Sequence, residues 1–452
     1  MTKLGQDRLL EAIGARPRST SAELCAALEI NRATLTRGVK RSPDRVVVLG
    51  RTRRTRYALR RFLRGGSAPV PIFRVDEVGR AHDFGELSLL HPGGSALVFR
   101  ETCPWPLDGE MRDGWFDGLP YFIYELAPTG YLGRSFARAH AAPLGVPSDP
   151  RDWSDDDVLF ALSAVGHSQP GDLVLGEAAL RRLHAESSSV TWLEGDELER
   201  AYLLQAATLV AGGFVGSSAA GEFPKLTAAR VQEGRGDHVL VKFSGLGGSP
   251  TERRWSDLLV TEHLVLAALP ELLGIPAPRS RLLRAGGRTF LEVARFDRIG
   301  ERGRRPVCSL GSIEAALSGR SVASWVTMAR SLGRWLPESE QRKVSLLWWL
   351  GTLLFNTDMH AGNLALQPGL LVAPVYDMLP MGFAPNRGGE LPSAAPSFPT
   401  PLPSERDVVA QAGAAALELW RRFAEDTRIS SELRDLCLRA RESVESFLDL
   451  VA

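Results

Sequence analysis

The ten residues LLWWLGTLLF, Leu346 to Phe355, are apolar at every position except Gly351 and Thr352. A helix that is apolar on all sides belongs inside a folded core, and this run is far shorter than the roughly 20 residues a membrane span needs. The continuation, FNTDMHAGNL, places Asn356, Asp358, His360 and Asn363 within eight residues. Polar side chains brought to the edge of a core cannot be buried unpaired. The chain therefore needs a tertiary structure in which a core helix delivers a polar, metal-competent loop to a defined site.

The rest of the composition bounds that structure. With 452 residues, the domain-size prior gives about two to four structural units. A hydrophobic content of 44% supports a large core. The N-terminus MTKLGQDRLLEAIG is polar and amphipathic without a signal-peptide core, so a cytoplasmic protein without membrane segments is expected. Cys25, Cys103, Cys308 and Cys437 are scattered with no CxxC pair, which indicates neither a disulfide framework nor a zinc ribbon. Lysine occurs only at positions 3, 40, 225, 242 and 343, and a position that keeps lysine in an arginine-rich chain points to a need for a compact ammonium.

The net charge of +1 hides an asymmetry. Residues 31–64 hold twelve basic side chains and one acidic one, +11, so the remainder carries −10. Such a split indicates a basic nucleic-acid-binding module on an acidic body. The order of elements over residues 1–64 agrees. QDRLLEAIGA, TSAELCAAL (with Thr20 or Ser21 as N-cap and Glu23 nearby) and RATLTRGVKR predict three helices. RVVVLG and TRYALR then alternate like two strands around a tip at Arg51, Arg53 and Arg54. This is the order of a winged helix-turn-helix, with Arg32, Thr34, Thr36 and Arg37 facing the DNA major groove and the arginine tip meeting phosphates or the minor groove.

GGSAPV after residue 64 reads as a linker. Residues 70–200 form a mixed region, with ALVFRET and YFIYELAP as strand-like pieces, a helix starting from Ser154 with acidic residues in its first turn, and GDLVLG turning into a strand. From 201 to 300 a small-residue segment, GGFVGSSAAGEFPK, precedes the strand HVLVKF, the amphipathic helix SDLLVTEHLVLAALPELLG and the strand TFLEVARF. From 301 to 452 the chain is mainly helical. A small β-rich lobe followed by a larger helical lobe gives an α+β, two-lobed plan.

Five signals follow in order. A glycine- and serine-rich loop, of the kind that lets backbone N–H groups approach phosphates, precedes Lys242 in the strand VLVKF. Glu262 lies on the following helix, with Glu252 as the competing choice. Asp358 and Asn363 have the D-x-x-x-x-N spacing of a kinase catalytic loop. LALQPGLLVAPVYD then reads as strand, turn and strand, returning to present Asp377. Two carboxylates and an amide suit a hard ion such as Mg²⁺. The alternative, a metallophosphoesterase built on Asp358 and His360, would need further histidines downstream, and none follows residue 363.

NTDMHAGN with YDMLP, preceded by VARFDR, LVKF and SSAAGEFPK, resembles the HipA family of serine/threonine kinases, toxins of type II toxin–antitoxin systems. The resemblance spans about residues 70–440, and the added N-terminal module is similar to that of the family's YjjJ-like branch. It implies Asp358 as catalytic base, with Asn363 and Asp377 as Mg²⁺ ligands. Lys242 would hold the phosphates, while Ala220, Gly221, Glu222, Phe223, Pro224 and Lys225 form the phosphate-cradling loop. Ala294, Arg295 and Phe296 would be the adenine-side hinge, and His360 part of the nucleotide-contacting loop. The family often has Glu where this chain has Ala294. Ser218 matches the serine that HipA kinases phosphorylate on themselves. The resemblance thus implies an ATP- and Mg²⁺-dependent protein serine/threonine kinase, with an antitoxin and DNA as partners and a protein Ser/Thr hydroxyl as substrate. The alternative is a DNA-binding transcriptional regulator whose kinase-like body binds nucleotide without phosphotransfer.

Overall fold

The structure, a computed structural model, describes residues 3–451 apart from 65, 67, 188–189, 212–222 and 320–323. The chain forms two compact units, one of residues 1–129 with 133–188 and one of residues 130–132 with 189–452.

The first unit opens with helices α1 (Lys3–Ala15), α2 (Ser21–Leu28) and α3 (Arg32–Lys40). Thr20, not Ser21, is the N-cap of α2; it and Glu23 form a reciprocal capping box that satisfies two backbone N–H groups. Asn31 caps α3 by accepting the Thr34 N–H at 2.9 Å. A hairpin of β1 (Val46–Leu49) and β2 (Arg56–Arg61) follows, and Leu9, Ile13, Leu24, Leu35, Val46 and Tyr57 share one core between helices and hairpin. Strand β2 also pairs with the next region, Leu59 opposite His91 and Arg61 opposite Leu89. Its partner β4 (Ala81–His91) lies between β2 and β3 (Val70–Val75), with β5 (Ser95–Phe99) and β6 (Leu173–Leu175) completing the neighbourhood. Helix α4 (Asp155–Val165) starts from Ser154 as expected, in a capping box with Asp157. YFIYELAP departs from expectation: Tyr121–Tyr124 is a single helical turn, not a strand. Tyr121, Phe122 and Ile123 are all buried, so the segment inserts a continuous apolar edge rather than an alternating one. Phe122 packs against Phe84 and Phe116 at ring-centroid distances of 6.3 and 6.2 Å, and that packing overrides the strand propensity of the residues.

The second unit has a five-stranded sheet in the order β10 (Ser280–Ala285), β11 (Arg288–Ala294), β9 (Arg235–Phe243), β8 (Lys225–Gln232), β7 (Trp192–Leu193). Alternation along β9 sends Val239, Val241 and Phe243 into a core with Leu198 and Tyr202 of α5 (Gly195–Ala211). The opposite face, through Leu291 and Val293, packs on Trp255, Leu258, Leu259 and Leu266 of α6 (Pro250–Leu273). Helix α6 carries its own start and stop signals, a Ser249–Glu252 capping box with Pro250 in its first turn and Gly274 in the left-handed region at its end. The helical part contains α7 (Leu310–Leu317), α8 (Trp325–Ser331), α9 (Glu338–Leu353), α10 (Arg406–Glu425) and α11 (Ser431–Val451). Leu346–Leu353 of LLWWLGTLLF form the mostly buried second half of α9, and Trp420 of α10 donates its indole N–H to the Leu353 carbonyl at 3.0 Å. Among the described residues, no helix is long and apolar enough to cross a membrane.

Candidate active site

The site is assembled from β8, β9, α6 and the segment that follows α9, all within the second unit. Lys225 and Lys242 are directly opposite each other in the β8–β9 ladder. Lys242 lies on a central strand, is only 2% exposed, and faces α6 rather than solvent. Its ammonium donates to both oxygens of Glu262 at 2.6 Å and also to Asp377. Lys225 approaches Asp377 at 3.9 Å. Two of the five lysines in the chain thus converge on one carboxylate. Glu252 is excluded as the partner of Lys242, because its carboxylate accepts from the Ser249 N–H and hydroxyl at its own helix start.

The charges in this cluster set one another's protonation. Burial disfavours the Lys242 ammonium, but the adjoining Asp377 and Glu262 charges outweigh it and hold its pKa above the ordinary lysine value. Burial likewise pushes Asp377 up, and Lys242 and Lys225 overcome it, so Asp377 stays well below the usual carboxylate range. Glu262, fully buried, is shifted upward by its desolvation.

Behind α9 the chain turns sharply. Phe355 has φ 56° and Asp377 has φ 53°, both in the left-handed region that non-glycine residues rarely occupy. Such conformations persist only where the surrounding structure imposes them, and they concentrate at functional sites. Asn356, buried beneath this turn, ties the two acidic segments together. Its amide nitrogen donates to the Asp377 carbonyl at 3.0 Å, and its amide oxygen accepts the Asp358 N–H at 3.1 Å. The Asn363 side-chain amide donates to the Asp358 carbonyl at 2.7 Å, which closes the loop between the two residues. The exposures separate the two acids: the Asp377 side chain is 19% exposed and paired, whereas that of Asp358 is 46% exposed. His360 accepts the Gly362 N–H on Nδ1 at 3.1 Å, receives the Trp325 indole N–H on its carbonyl at 3.0 Å, and has Nε2 at 3.9 Å from Asp358.

Of the cradling-loop residues, Phe223 packs edge-on against Trp255 at 4.7 Å with the Lys242 ammonium 6.0 Å from its ring centre, and the Pro224 carbonyl accepts the Phe243 N–H at 3.2 Å. Ser218, Ala220, Gly221 and Glu222 lie outside the described residues. In the hinge segment, Ala294 and Arg295 donate their N–H groups to the carbonyls of Arg279 and His238, both at 2.8 Å. The ring of Phe296 stacks on Tyr376 at 5.9 Å, one residue before Asp377. The residues expected to face DNA belong to the other unit. Arg32, Thr36 and Arg37 on α3 and Arg51, Arg53 and Arg54 at the hairpin tip are exposed, and Thr34 is half-buried.

Sequence reasoning passed over Tyr376 and Gly351. A Cβ on Gly351 would collide with the sulfur of Met359 and come within 3.2 Å of that of Met378. These methionines adjoin Asp358 and Asp377, so Gly351 marks where both acidic segments pack on α9. The interruption of an otherwise apolar run was the available signal.

Among the described residues, no cluster of three or more His, Cys, Asp or Glu side chains is arranged to hold a metal. Asp377 and Asn363 each carry a hard oxygen donor, a carboxylate and an amide, of the type Mg²⁺ prefers.

Residues 66–184 match the family model of the YjjJ-like toxin middle domain, and residues 217–446 match that of the HipA-like C-terminal domain. The chain is 37% identical over 443 residues to Toxin YjjJ of Escherichia coli strain K12, covering 96% of this chain and 97% of that one. The chain belongs to the HipA-like toxins, in their YjjJ-like branch. Its fold matches HipA in the Shewanella oneidensis MR-1 complex of HipA, HipB and operator DNA, with a TM-score of 0.52 and 16% identity over 84% of this chain and 99% of that one. In this HipA-like protein Lys225, Lys242, Asp358, Asn363 and Asp377 all fall in the C-terminal family domain, and the basic helices and hairpin precede the YjjJ-like middle domain.

Proposed function

We propose that this protein is an ATP- and Mg²⁺-dependent protein kinase acting on serine or threonine hydroxyls, a toxin that works with an antitoxin, and that residues 1–64 bind DNA. The observation that carries the kinase reading is the convergence of Lys242, Glu262 and Asp377, joined through Asn356 to the backbone of Asp358.

In this reading Lys242, held by Glu262, lends its ammonium to the nucleotide phosphates. Lys225 adds a second positive charge beside Asp377. Asp377 and the Asn363 amide oxygen would hold Mg²⁺, which would supply charge neutralisation at the phosphates. Asp358, the more exposed acid, orients the acceptor hydroxyl and takes its proton. Asn356 positions Asp358 against Asp377 and needs no contact with substrate. The rate gain comes from placement and electrostatics rather than covalent chemistry. Phe296 and Tyr376 would flank the base beside the Ala294–Arg295 backbone. Ser218 is the site of self-phosphorylation in the same reading, to be read by mass spectrometry after incubation with Mg-ATP.

The antitoxin and DNA partners are supported by the HipA, HipB and operator DNA complex of the Shewanella relative, and DNA binding also by the +11 charge of residues 31–64. The test is phosphoryl transfer from radiolabelled ATP by the full chain. Asp358→Asn is expected to abolish transfer while leaving the thermal unfolding curve in place. An unchanged rate would overturn the assignment. Salt-sensitive DNA binding without any ATP turnover in the wild type would favour the regulator reading.

A further inference from the structure

The loop from Asp358 to Asn363 is held by its own neighbours and by two helices. Asn356 takes the Asp358 N–H, and the Asn363 side-chain amide returns to the Asp358 carbonyl. From α7, the Leu310 N–H donates to the Leu364 carbonyl at 2.8 Å. Gly311 lets that helix come close, since a Cβ there would lie 2.8 Å from the Ala361 Cβ. From α8, Trp325 reaches the middle of the loop. Its indole N–H donates to the His360 carbonyl at 3.0 Å, and the same carbonyl accepts the Asn363 N–H at 3.0 Å. The ring is 2% exposed and packs edge-on against Trp348 of α9 at 6.1 Å. Burial by itself does not oblige an indole of this chain to find a partner. The indole N–H groups of Trp115, Trp255 and Trp349 are buried with no hydrogen-bond partner among the described residues.

We propose that Trp325 is a positioning residue, which by holding the His360 carbonyl fixes the direction in which the loop presents Asp358 to the acceptor hydroxyl. The proposal rests on the kinase reading of Asp358. A carbonyl oxygen has two lone pairs, and here one takes a donor from inside the loop and the other a donor from α8. Two donors on one oxygen fix the orientation of its peptide plane. Without the indole N–H the loop stays closed on itself through Asn363, but that plane loses its tie to the helix. His360 is two residues from Asp358, so a tilt there is carried to the carboxylate. A misplacement of about 1 Å is enough to cost roughly 10²-fold in rate. The phosphate end of the site does not depend on the indole, because Lys242 is held by Glu262 and Asp377. The effect therefore falls on the transfer step and spares nucleotide binding.

The test replaces Trp325 in the full chain by 3-benzothienylalanine, which keeps the bicyclic shape and puts a sulfur where the N–H stood. Initial rates of phosphoryl transfer from radiolabelled Mg-ATP are measured against ATP concentration. The maximal rate is expected to fall at least about tenfold, with KM for ATP unchanged within about twofold, the signature of an interaction that serves the transfer step alone. Trp325→Phe, which also lacks the donor, should follow the same pattern. Thermal unfolding of the benzothienyl variant should match the wild type. Hydrogen exchange without nucleotide should quicken in peptides covering residues 358–364 and stay unchanged in those covering β9. An undiminished maximal rate in the benzothienyl variant, a KM that rises in step with the loss, or unchanged exchange over 358–364 would each overturn the proposal. A wild type that transfers no phosphate would overturn the kinase reading and the proposal with it, whereas wild-type rates in the variant of an active chain overturn the proposal alone.

Discussion

Replacing Lys242 with Met tests the central construction of the site. The methionine keeps the length of the side chain and removes the cation. Glu262 is fully buried, and the Asp377 N–H at 3.3 Å would still donate to it. Asp377 would keep Lys225, at 3.9 Å. Removing one partner of a buried ion pair costs about 3–5 kcal/mol, mostly because a charge is left uncompensated. In a unit of this size that lowers the melting temperature by on the order of 10 °C. The cost should be recoverable. In Lys242→Met/Glu262→Gln the buried charge is gone, the amide oxygen still accepts the Asp377 N–H, and the amide nitrogen can donate to the Asp377 carboxylate. The assay is thermal unfolding followed by tryptophan fluorescence, since Trp255 and Trp349 are buried in this unit. Lys242→Met should melt well below the wild type, with the double variant recovering most of the loss. A single variant that melts with the wild type, or a double variant no better than the single, would refute the reasoning.

Three further outcomes are expected. Asp377 titrates below its ordinary value of 3.8 because Lys242 and Lys225 outweigh its burial, so its contribution to stability is complete above that value and is lost as pH falls through the lower folded value; Asp377→Asn should flatten the acid limb of the melting-temperature curve below about pH 4, and an unchanged slope counts against the pairing. Gly351→Ala puts a Cβ against the Met359 sulfur and near that of Met378; both are ends of flexible thioethers that can swing aside, so the cost should stay near the lower end of the roughly 1–3 kcal/mol range for overpacking, and a much larger drop in melting temperature would contradict it. Arg51→Ala/Arg53→Ala should reduce the salt dependence of duplex binding by about one unit of slope for each phosphate no longer neutralised, measured by fluorescence anisotropy across a salt series, and an identical slope would remove the hairpin tip from the interface.

What could be read along the chain follows the range of the interactions. The start of α2 at Thr20 and of α4 at Ser154 are each set by a side chain bonding to a backbone N–H three residues on; the same bond also starts α3 at Asn31 and α6 at Ser249, the latter one turn or more before the SDLLV pattern from which that helix is expected. The Asp358-to-Asn363 spacing is equally local, since the Asn363 amide bonds back to the Asp358 carbonyl across a single turn. Interactions that close within one turn leave their mark in consecutive residues. The choice of Glu262 over Glu252 does not close locally. Glu252 is held by its own helix start, and Glu262 meets Lys242 only because α6 packs across the sheet. The turn at Tyr121–Tyr124, the left-handed backbone of Asp377 and the joining of the basic hairpin to the following sheet through β2 and β4 also depend on distant partners. The sequence by itself therefore determined the longer amphipathic helices, the caps at Thr20 and Ser154 and the Asp358–Asn363 spacing, because hydrogen-bond reach and hydrophobic period are properties of neighbouring residues. Only the tertiary structure decided which buried charges pair, because a desolvated carboxylate takes whichever cation the packing brings to it.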